Sequence, residues 1–317
     1  MKYIVLSICL WCFCILSIQA QSYCVLSDED QTILEGDNIH QVQSVASISK
    51  VMTAIIAIQH ADLHQTWILG DEIDDAYGSM VYLKKGQKVS MNTMLHGLML
   101  RSGNDCAIGI AHHVGGGVKE FVKWMNEKAK EIGMTNTIFR NPSGLDEEDG
   151  GNCSTAYDMA LLMSYAMKNE TFRTIAGKKY YTTEWKDRWK NKNRLLFEDG
   201  LVIAGKTGFT KKAGRTLITT AKFQTKQTTV VTLGYPDDFA FHKQKHHEML
   251  ASINYVPIVK KGVYQLFGKE VIIPKTIYAT TQNKDSQFNV LTYVDGQQLY
   301  IDVSRQGYKR VYSVSMI

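Results

Sequence analysis

Val45-Ala46-Ser47-Ile48-Ser49-Lys50, running on into Val51-Met52-Thr53-Ala54-Ile55-Ile56-Ala57-Ile58, is the stretch from which the fold of this chain is read. A serine heads it and a lysine follows three residues on. Positions i and i+3 of a helix share a face, so the Lys50 amine is able to reach the Ser47 hydroxyl. Beyond Lys50 the pattern is apolar almost all round to about Asp62, as in a helix buried in the middle of a domain. Burial disfavours the charged form of a lysine and lowers its pKa. Such an amine is a proton acceptor for a serine, which is otherwise a weak nucleophile. S-x-x-K also arises by coincidence in a chain of this length, so other stretches must support it.

The 317 residues are 44% hydrophobic and 21% charged, enough for a sizeable core in one large domain plus a small one, or two medium ones. The net charge of +5 suits polyanionic surroundings without demanding nucleic acid. At the N-terminus, Lys2 precedes an apolar run over residues 3–18, and Ser17-Ile18-Gln19-Ala20 offers a cut after Ala20. Residues 1–20 therefore read as a secretory signal peptide, with an uncleaved membrane anchor as the alternative. Cys9, Cys12 and Cys14 fall inside that leader. Cys24, Cys106 and Cys153 remain, an odd number without metal-ligand spacing.

Residues 23–45 alternate weakly around the turn Leu34-Glu35-Gly36-Asp37, and residues 67–86 read as loops and short strands. Helical spacing over 92–100 breaks at Arg101-Ser102-Gly103-Asn104 and resumes over 105–113. An amphipathic helix follows at 118–132. Residues 139–153 form a loop with a turn at Asn141-Pro142-Ser143-Gly144, and Ser154 or Thr155 caps a helix to about 167. Trp185 and Trp189 lie among Lys186, Arg188, Lys190, Lys192 and Arg194, a mixture that also occurs on single-strand nucleic-acid surfaces. With no other support in the chain, it reads as a solvated loop packing two tryptophans, and no nucleic-acid partner is expected. Strands are expected at 201–204, 215–223 and 228–234, then a helix at 239–253. In that helix His242, His246 and His247 include an i, i+4 pair but no H-E-x-x-H arrangement, so no metal site is expected. From about Pro257 the chain is β-like and closes on a hairpin of 288–294, Asp295-Gly296 and 298–303, with no C-terminal membrane tether expected.

Two further triplets strengthen the opening motif. Ser102-Gly103-Asn104 lies at the break between helices, and Lys206-Thr207-Gly208 follows the strand-like 201–204. S-x-x-K, S-x-N and K-T-G in this order form the serine acyl-transferase set of penicillin-binding proteins and β-lactamases. From about residue 23 to 257 the chain resembles the D-alanyl-D-alanine carboxypeptidases, low-molecular-mass penicillin-binding proteins of serine peptidase family S11. The likeness extends to Tyr82-Leu83-Lys84-Lys85-Gly86, Leu100-Arg101-Ser102-Gly103-Asn104-Asp105, Asn141-Pro142-Ser143-Gly144-Leu145, Ser154-Thr155-Ala156-Tyr157-Asp158, Asn193-Arg194-Leu195-Leu196 and Gly205-Lys206-Thr207-Gly208-Phe209-Thr210.

The resemblance implies an α+β, β-lactamase-like transpeptidase fold: an antiparallel sheet with helices on both faces and a helical subdomain, over residues 21–256. A small β-rich C-terminal domain, a weaker match, would occupy 257–317. It implies an exported enzyme of the bacterial cell envelope, or a secreted one, that removes the terminal D-alanine from peptidoglycan stem pentapeptides and binds β-lactam antibiotics covalently. Ser47 would attack the carbonyl and Lys50 take its proton, which needs a pKa lowered by roughly 3 units, about 4 kcal/mol. Burial and the nearby Lys206 are expected to supply that shift. Ser102 would relay a proton to the leaving amine, and Asn104 orient Lys50 or the substrate amide. Lys206 and Thr207 would hold the terminal carboxylate, on a strand that pairs with the extended peptide. Gly208 would let that backbone come close, and the N–H groups of Ser47 and Phe209 form the oxyanion hole. No metal or organic cofactor is implied, and membrane contact only through the leader. The alternatives are a class A-like β-lactamase, since Glu148-Asp149-Gly150-Gly151-Asn152 gives its E-x-x-x-N pattern, and a catalytically weak peptidoglycan-binding homologue. The flanks of that pattern, and S-G-N in place of S-D-N, favour the carboxypeptidases.

Overall fold

The computed structural model describes residues 21–146, 150–283, 285–305 and 308–316. The signal-peptide expectation for residues 1–20 and Glu148 of the β-lactamase pattern lie outside them. Among the described residues, no helix is long and apolar enough to cross a membrane.

A five-stranded antiparallel sheet carries the N-terminal part of the chain. Its strands are β1 (Ser22–Ser27), β2 (Ile33–Asp37), β3 (Val202–Thr210), β4 (Gly214–Phe223) and β5 (Lys226–Leu233), in the spatial order β2-β1-β5-β4-β3. Strand β3 is thus an edge. Side chains alternate between the two faces with period two. Cys24, Ile218 and Val231 point into the main core with helices α1 (Lys50–His60) and α5 (Ala156–Ala166). Val25, Thr219 and Val230 point the other way, against α8 (Asp238–Ser252). Both faces are therefore covered, giving an α+β fold.

Helices α3 (Asn104–Gly115) and α4 (Val118–Ile132) pack on α1, and α2 (Met91–His96) packs on α3, forming the helical part beside the sheet. Two shorter helices, α6 (Glu170–Ala176) and α7 (Leu195–Glu198), lie against β3. The Thr155 hydroxyl accepts the Asp158 N–H at 3.0 Å and caps α5, one of the two caps expected from sequence. Residues Lys50 to Ala57 of α1 are all buried, which accounts for the apolar sequence on every side of that helix.

Three local expectations are corrected. Ser47 does not begin an α-helix: Ala46–Ser49 form a 3-10 turn, and α1 starts at Lys50. The pairing of Ser47 with Lys50 survives because three residues per turn bring i and i+3 directly in line. The expected helix at 92–100 ends at His96, and Gly97–Arg101 widen into a π-turn that closes on Ser102 with φ +64°. Finally, the strand expected at 201–204 is longer: β3 runs from Val202 to Thr210 and itself bears Lys206-Thr207-Gly208, the strand position that the resemblance implied for Lys206. Two glycines weakened the strand pattern in sequence. At Gly205 a Cβ would come within 2.7 Å of the Ile218 carbonyl, and at Gly208 within 3.0 Å of the Ser47 nitrogen, so close packing demands both.

Beyond α8 the chain is all β: β6 (Asn254–Val259), β7 (Gly262–Leu266), β8 (Lys269–Ile273), β9 (Ile277–Thr281), β10 (Asn289–Asp295), β11 (Gln298–Arg305) and β12 (Tyr308–Ser315). The expected hairpin is present as β10–β11, and β12 adds a third strand to it. This region has its own core around Val271, Ile273, Leu299, Ile301 and Val303. It is fastened to the β1–β2 turn by buried Asp30. That carboxylate accepts hydrogen bonds from the Thr280 N–H (2.7 Å), the Thr280 hydroxyl (2.8 Å) and the Tyr308 hydroxyl (3.0 Å).

Candidate active site

Ser47, Lys50, Ser102, Asn104, Lys206, Thr207, Gly208 and Phe209 come from four separate stretches, and the fold brings them to one cleft. The 3-10 turn and α1 deliver the first pair, the π-turn and the start of α3 the second, and edge strand β3 the rest. Ser47 is half-buried while Lys50 is completely buried. The Lys50 amine donates to the Ser47 hydroxyl at 3.0 Å, to Asn104 Oδ1 at 2.7 Å and to the Ser143 carbonyl. Burial lowers the Lys50 pKa from 10.5 to about 7. Nearby Lys192 adds to that shift, whereas Lys206, the cation expected to do so from sequence, is itself held well below the ordinary lysine range by burial and then by Lys50 and Lys192.

Lys206 is likewise buried. It donates to the Ser102 hydroxyl at 2.9 Å and to the Thr207 carbonyl at 2.6 Å. The site therefore contains two linked pairs: a hydroxyl on Lys50 and a hydroxyl on Lys206. Two ammonium groups buried in one cavity disfavour each other's charge, so the pair takes up its protons in separate steps. Asn104 is fixed from behind, with Nδ2 donating to the Tyr77 carbonyl at 2.6 Å and its N–H to the Ser79 carbonyl at 2.7 Å.

Three contributors were not identified from sequence. The Ser143 carbonyl, facing both Lys50 and Ser47, is aimed by an Asn-Pro-Ser-Gly turn. Asn141 Oδ1 accepts from the N–H groups of Ser143 (3.2 Å) and Gly144 (2.7 Å). Asn152 Oδ1 in turn accepts from the N–H groups of Arg140 and Asn141 at 2.7 and 3.1 Å. The turn signal was readable, but not that its carbonyl meets a lysine from another helix. Gly144 has φ +79°, and a Cβ there would run into the Ala46 carbonyl. Lys192, at the mouth, reaches the Ser79 hydroxyl at 3.4 Å; it was hidden in the basic run at 186–194. The Tyr77 carbonyl, which anchors Asn104, had no signal at all.

The other basic residues of that run stay on the surface. Arg188 stacks on Tyr180, Lys190 on Phe197 and Arg194 on Phe239, with Trp189 buried beneath. In α8, all four ring nitrogens of His242 and His246 are engaged by the hydroxyls of Thr219, Thr228 and Thr232 at 2.7–2.9 Å. These bonds leave the imidazoles no lone pair for a metal ion. His247 lies instead on Asp199 at 3.0 Å.

An α+β sheet with a Ser–Lys pair, a Ser–Lys counterpart and a K-T-G edge strand defines the class of serine acyl-transferring peptidases. The family model described as D-alanyl-D-alanine carboxypeptidase, peptidase S11, matches residues 14–237. The chain is 31% identical over 268 residues to D-alanyl-D-alanine carboxypeptidase DacF of Bacillus subtilis, covering 77% of this chain and 68% of that protein. The solved structure of a D-alanyl-D-alanine carboxypeptidase from Mycobacterium tuberculosis superimposes with a TM-score of 0.70 at 29% identity, over 73% of this chain and 91% of that one. Penicillin binding protein 5 from Haemophilus influenzae, at 21% identity, shares the fold alone, with a TM-score of 0.80 over 95% of this chain and 97% of that one. The chain belongs to the D-alanyl-D-alanine carboxypeptidase family, S11, and is a serine-type peptidase.

Proposed function

We propose that the chain is exported to the bacterial cell envelope and removes the terminal D-alanine from peptidoglycan stem pentapeptides through an acyl-enzyme on Ser47. The observation that carries this reading is the Ser47 hydroxyl 3.0 Å from a lysine amine whose pKa burial has brought to about 7. Near neutral pH half of that amine is unprotonated and able to take the hydroxyl proton. The substrate carboxylate meets Lys206 and Thr207 and gives Lys206 the counter-charge it lacks. A proton is then favoured on Lys206, and the mutual repulsion leaves Lys50 as the neutral member of the pair. Ser102, on Lys206, passes a proton to the departing D-alanine. The tetrahedral oxyanion is met by the N–H groups of Ser47 and Phe209, worth roughly 3 kcal/mol per donor. Water then hydrolyses the ester. A β-lactam, which presents a strained amide and a carboxylate to the same groups, acylates Ser47 covalently.

The leader-like residues 1–20 support export, with or without retention as an anchor, and residues 21–256 and 257–317 are taken as the catalytic and small β domains. Asn152 favours the carboxypeptidase over the class A β-lactamase reading, because its side chain is spent on the backbone of Arg140 and Asn141. The test is labelled penicillin with mass spectrometry, alongside D-alanine release from a pentapeptide. Wild type should carry a penicilloyl adduct on Ser47 for minutes and release D-alanine; Ser47→Ala should do neither. Rapid penicillin turnover would establish the β-lactamase, and binding of pentapeptide without release the inactive homologue.

A further inference from the structure

The segment that follows Tyr77 and Ser79 turns at a residue the mechanism does not use. Tyr82 has φ +62° and is 75% exposed. A bulky side chain in the left-handed region costs roughly 1–3 kcal/mol and stays there only where its surroundings enforce it. Asp105, the residue after Asn104, does so: its Oδ2 accepts the N–H groups of Val81 and Leu83, each at 3.1 Å. Val81 and Leu83 pack inward on the main core, so Tyr82 between them is pushed into solvent.

Tyr82 lines a cleft of about 480 Å³ together with Trp185, Gln87 and Asp187. It is within the size range of small-ligand sites. Trp185 and Asp187 belong to the turn between the short strands Tyr180–Thr182 and Arg188–Lys190. That turn is tied to α2, where Glu184 Oε2 accepts the Thr93 hydroxyl at 2.6 Å. The Trp185 indole is fixed too, with its N–H on Asp187 Oδ2 at 2.9 Å and its ring edge-on to Trp189. Gln87 Oε1 accepts the Lys84 N–H at 3.0 Å, which leaves its Nε2 as a donor, and Asp187 Oδ1 remains as an acceptor.

The chemistry of these groups narrows the ligand. The N–H groups of Val81, Leu83, Lys84, Gly86 and Gln87 are all engaged within the fold, so this segment cannot pair with an added peptide strand. An anion would meet the Asp187 carboxylate, and Lys85 is already paired with Asp71. A pyranose ring suits what remains. Its C–H face stacks on an aromatic ring, and its rim of hydroxyls takes a carboxylate and an amide. Resting on the carboxypeptidase reading for the identity of the polymer, we propose that this cleft is a separate saccharide site. It docks the enzyme on a glycan strand of peptidoglycan, apart from the stem peptide held at Ser47. Tyr82 and Trp185 supply the stacking faces, and Gln87 and Asp187 bond the hydroxyls.

The test compares wild type, Tyr82→Asn and Trp185→Ala. Soluble glycan strands stripped of their stem peptides are titrated into each protein. Wild type should bind them, and each variant should bind roughly five- to tenfold more weakly, the loss of one stacking face. D-Alanine release from a soluble pentapeptide should be the same in all three, while release from intact peptidoglycan should fall in both variants. Asparagine takes positive φ readily, so Tyr82→Asn should resist urea as well as wild type or better. Failure of wild type to bind the stripped strands, or equal binding by all three proteins, overturns the proposal. So does a Tyr82→Asn protein that is destabilised yet binds normally, because the tyrosine is then structural. No release from the soluble pentapeptide, with glycan binding intact, overturns the carboxypeptidase reading and leaves the saccharide site standing.

Discussion

Lys50→Met tests the electrostatic account of the nucleophile without relying on catalysis. The folded chain holds the Lys50 pKa at about 7, against 10.5 for an ordinary lysine, and burial is the main cause. The difference of 3.5 units corresponds to about 5 kcal/mol of cost for carrying a charged lysine in this cavity. At pH 6 both folded and unfolded chains are protonated, and the cost is borne in full. Between pH 7 and 10.5 the unfolded chain binds more protons than the folded one, so wild-type stability rises with pH. Methionine has nothing to titrate. It also forfeits hydrogen bonds to Ser47, Asn104 and Ser143, but that loss is independent of pH. Lys206 is present in both proteins, and burial, the larger cause of its depression, is common to them; only the part of its cost that Lys50 imposes is relieved in the variant. Urea unfolding of the two proteins should therefore show wild type gaining roughly 2.5–3 kcal/mol on Lys50→Met between pH 6 and pH 9. Wild-type acylation by penicillin should share the titration, falling about tenfold per pH unit below 7. Parallel stability curves over that range would refute a depressed Lys50 and remove the physical basis for its acting as the base.

Two further substitutions test the supports of the site. Gly144→Ala adds a Cβ at φ +79° against the Ala46 carbonyl, so it should displace the Ser143 carbonyl or the Ser47 turn. A fall in penicillin acylation of roughly a hundredfold, with a loss of 1–3 kcal/mol in urea unfolding, is expected. Asp30→Ala leaves the Thr280 N–H and the Tyr308 hydroxyl without their buried acceptor. It should cost about 2–4 kcal/mol and expose the 254–316 region to limited proteolysis before the sheet, with the acylation rate of intact protein unchanged.

Much of the architecture was legible because local signals agreed with one another. The apolar run after Lys50 announced a buried helix, the break at Ser102-Gly103-Asn104 was visible as a lapse in helical spacing, and Asp295-Gly296 marked its hairpin. The boundary errors have physical causes. The strand expected at 201–204 stops short of Gly205 and Gly208, whose reason for being there, the approach of Ile218 and Ser47, comes from distant parts of the chain. The Ser47 turn and the π-turn before Ser102 depart from α geometry at positions where neither spacing nor composition registers the change. Lys192 looked like one basic residue among five until folding set it at the mouth of the cleft.

By itself, then, the sequence determined which residues could do the chemistry and in what order they occur. Motifs are short, and a serine three residues from a lysine is a local relation that survives in a 3-10 turn as well as in an α-helix. Tertiary structure decided everything that depends on distance and dielectric. It brought Ser143 of a loop onto the same amine as Ser47, and it excluded water from Lys50 and Lys206. A pKa near 7 is a property of the cavity rather than of the lysine, because the desolvation that produces it comes from elements contributed by the whole length of the fold.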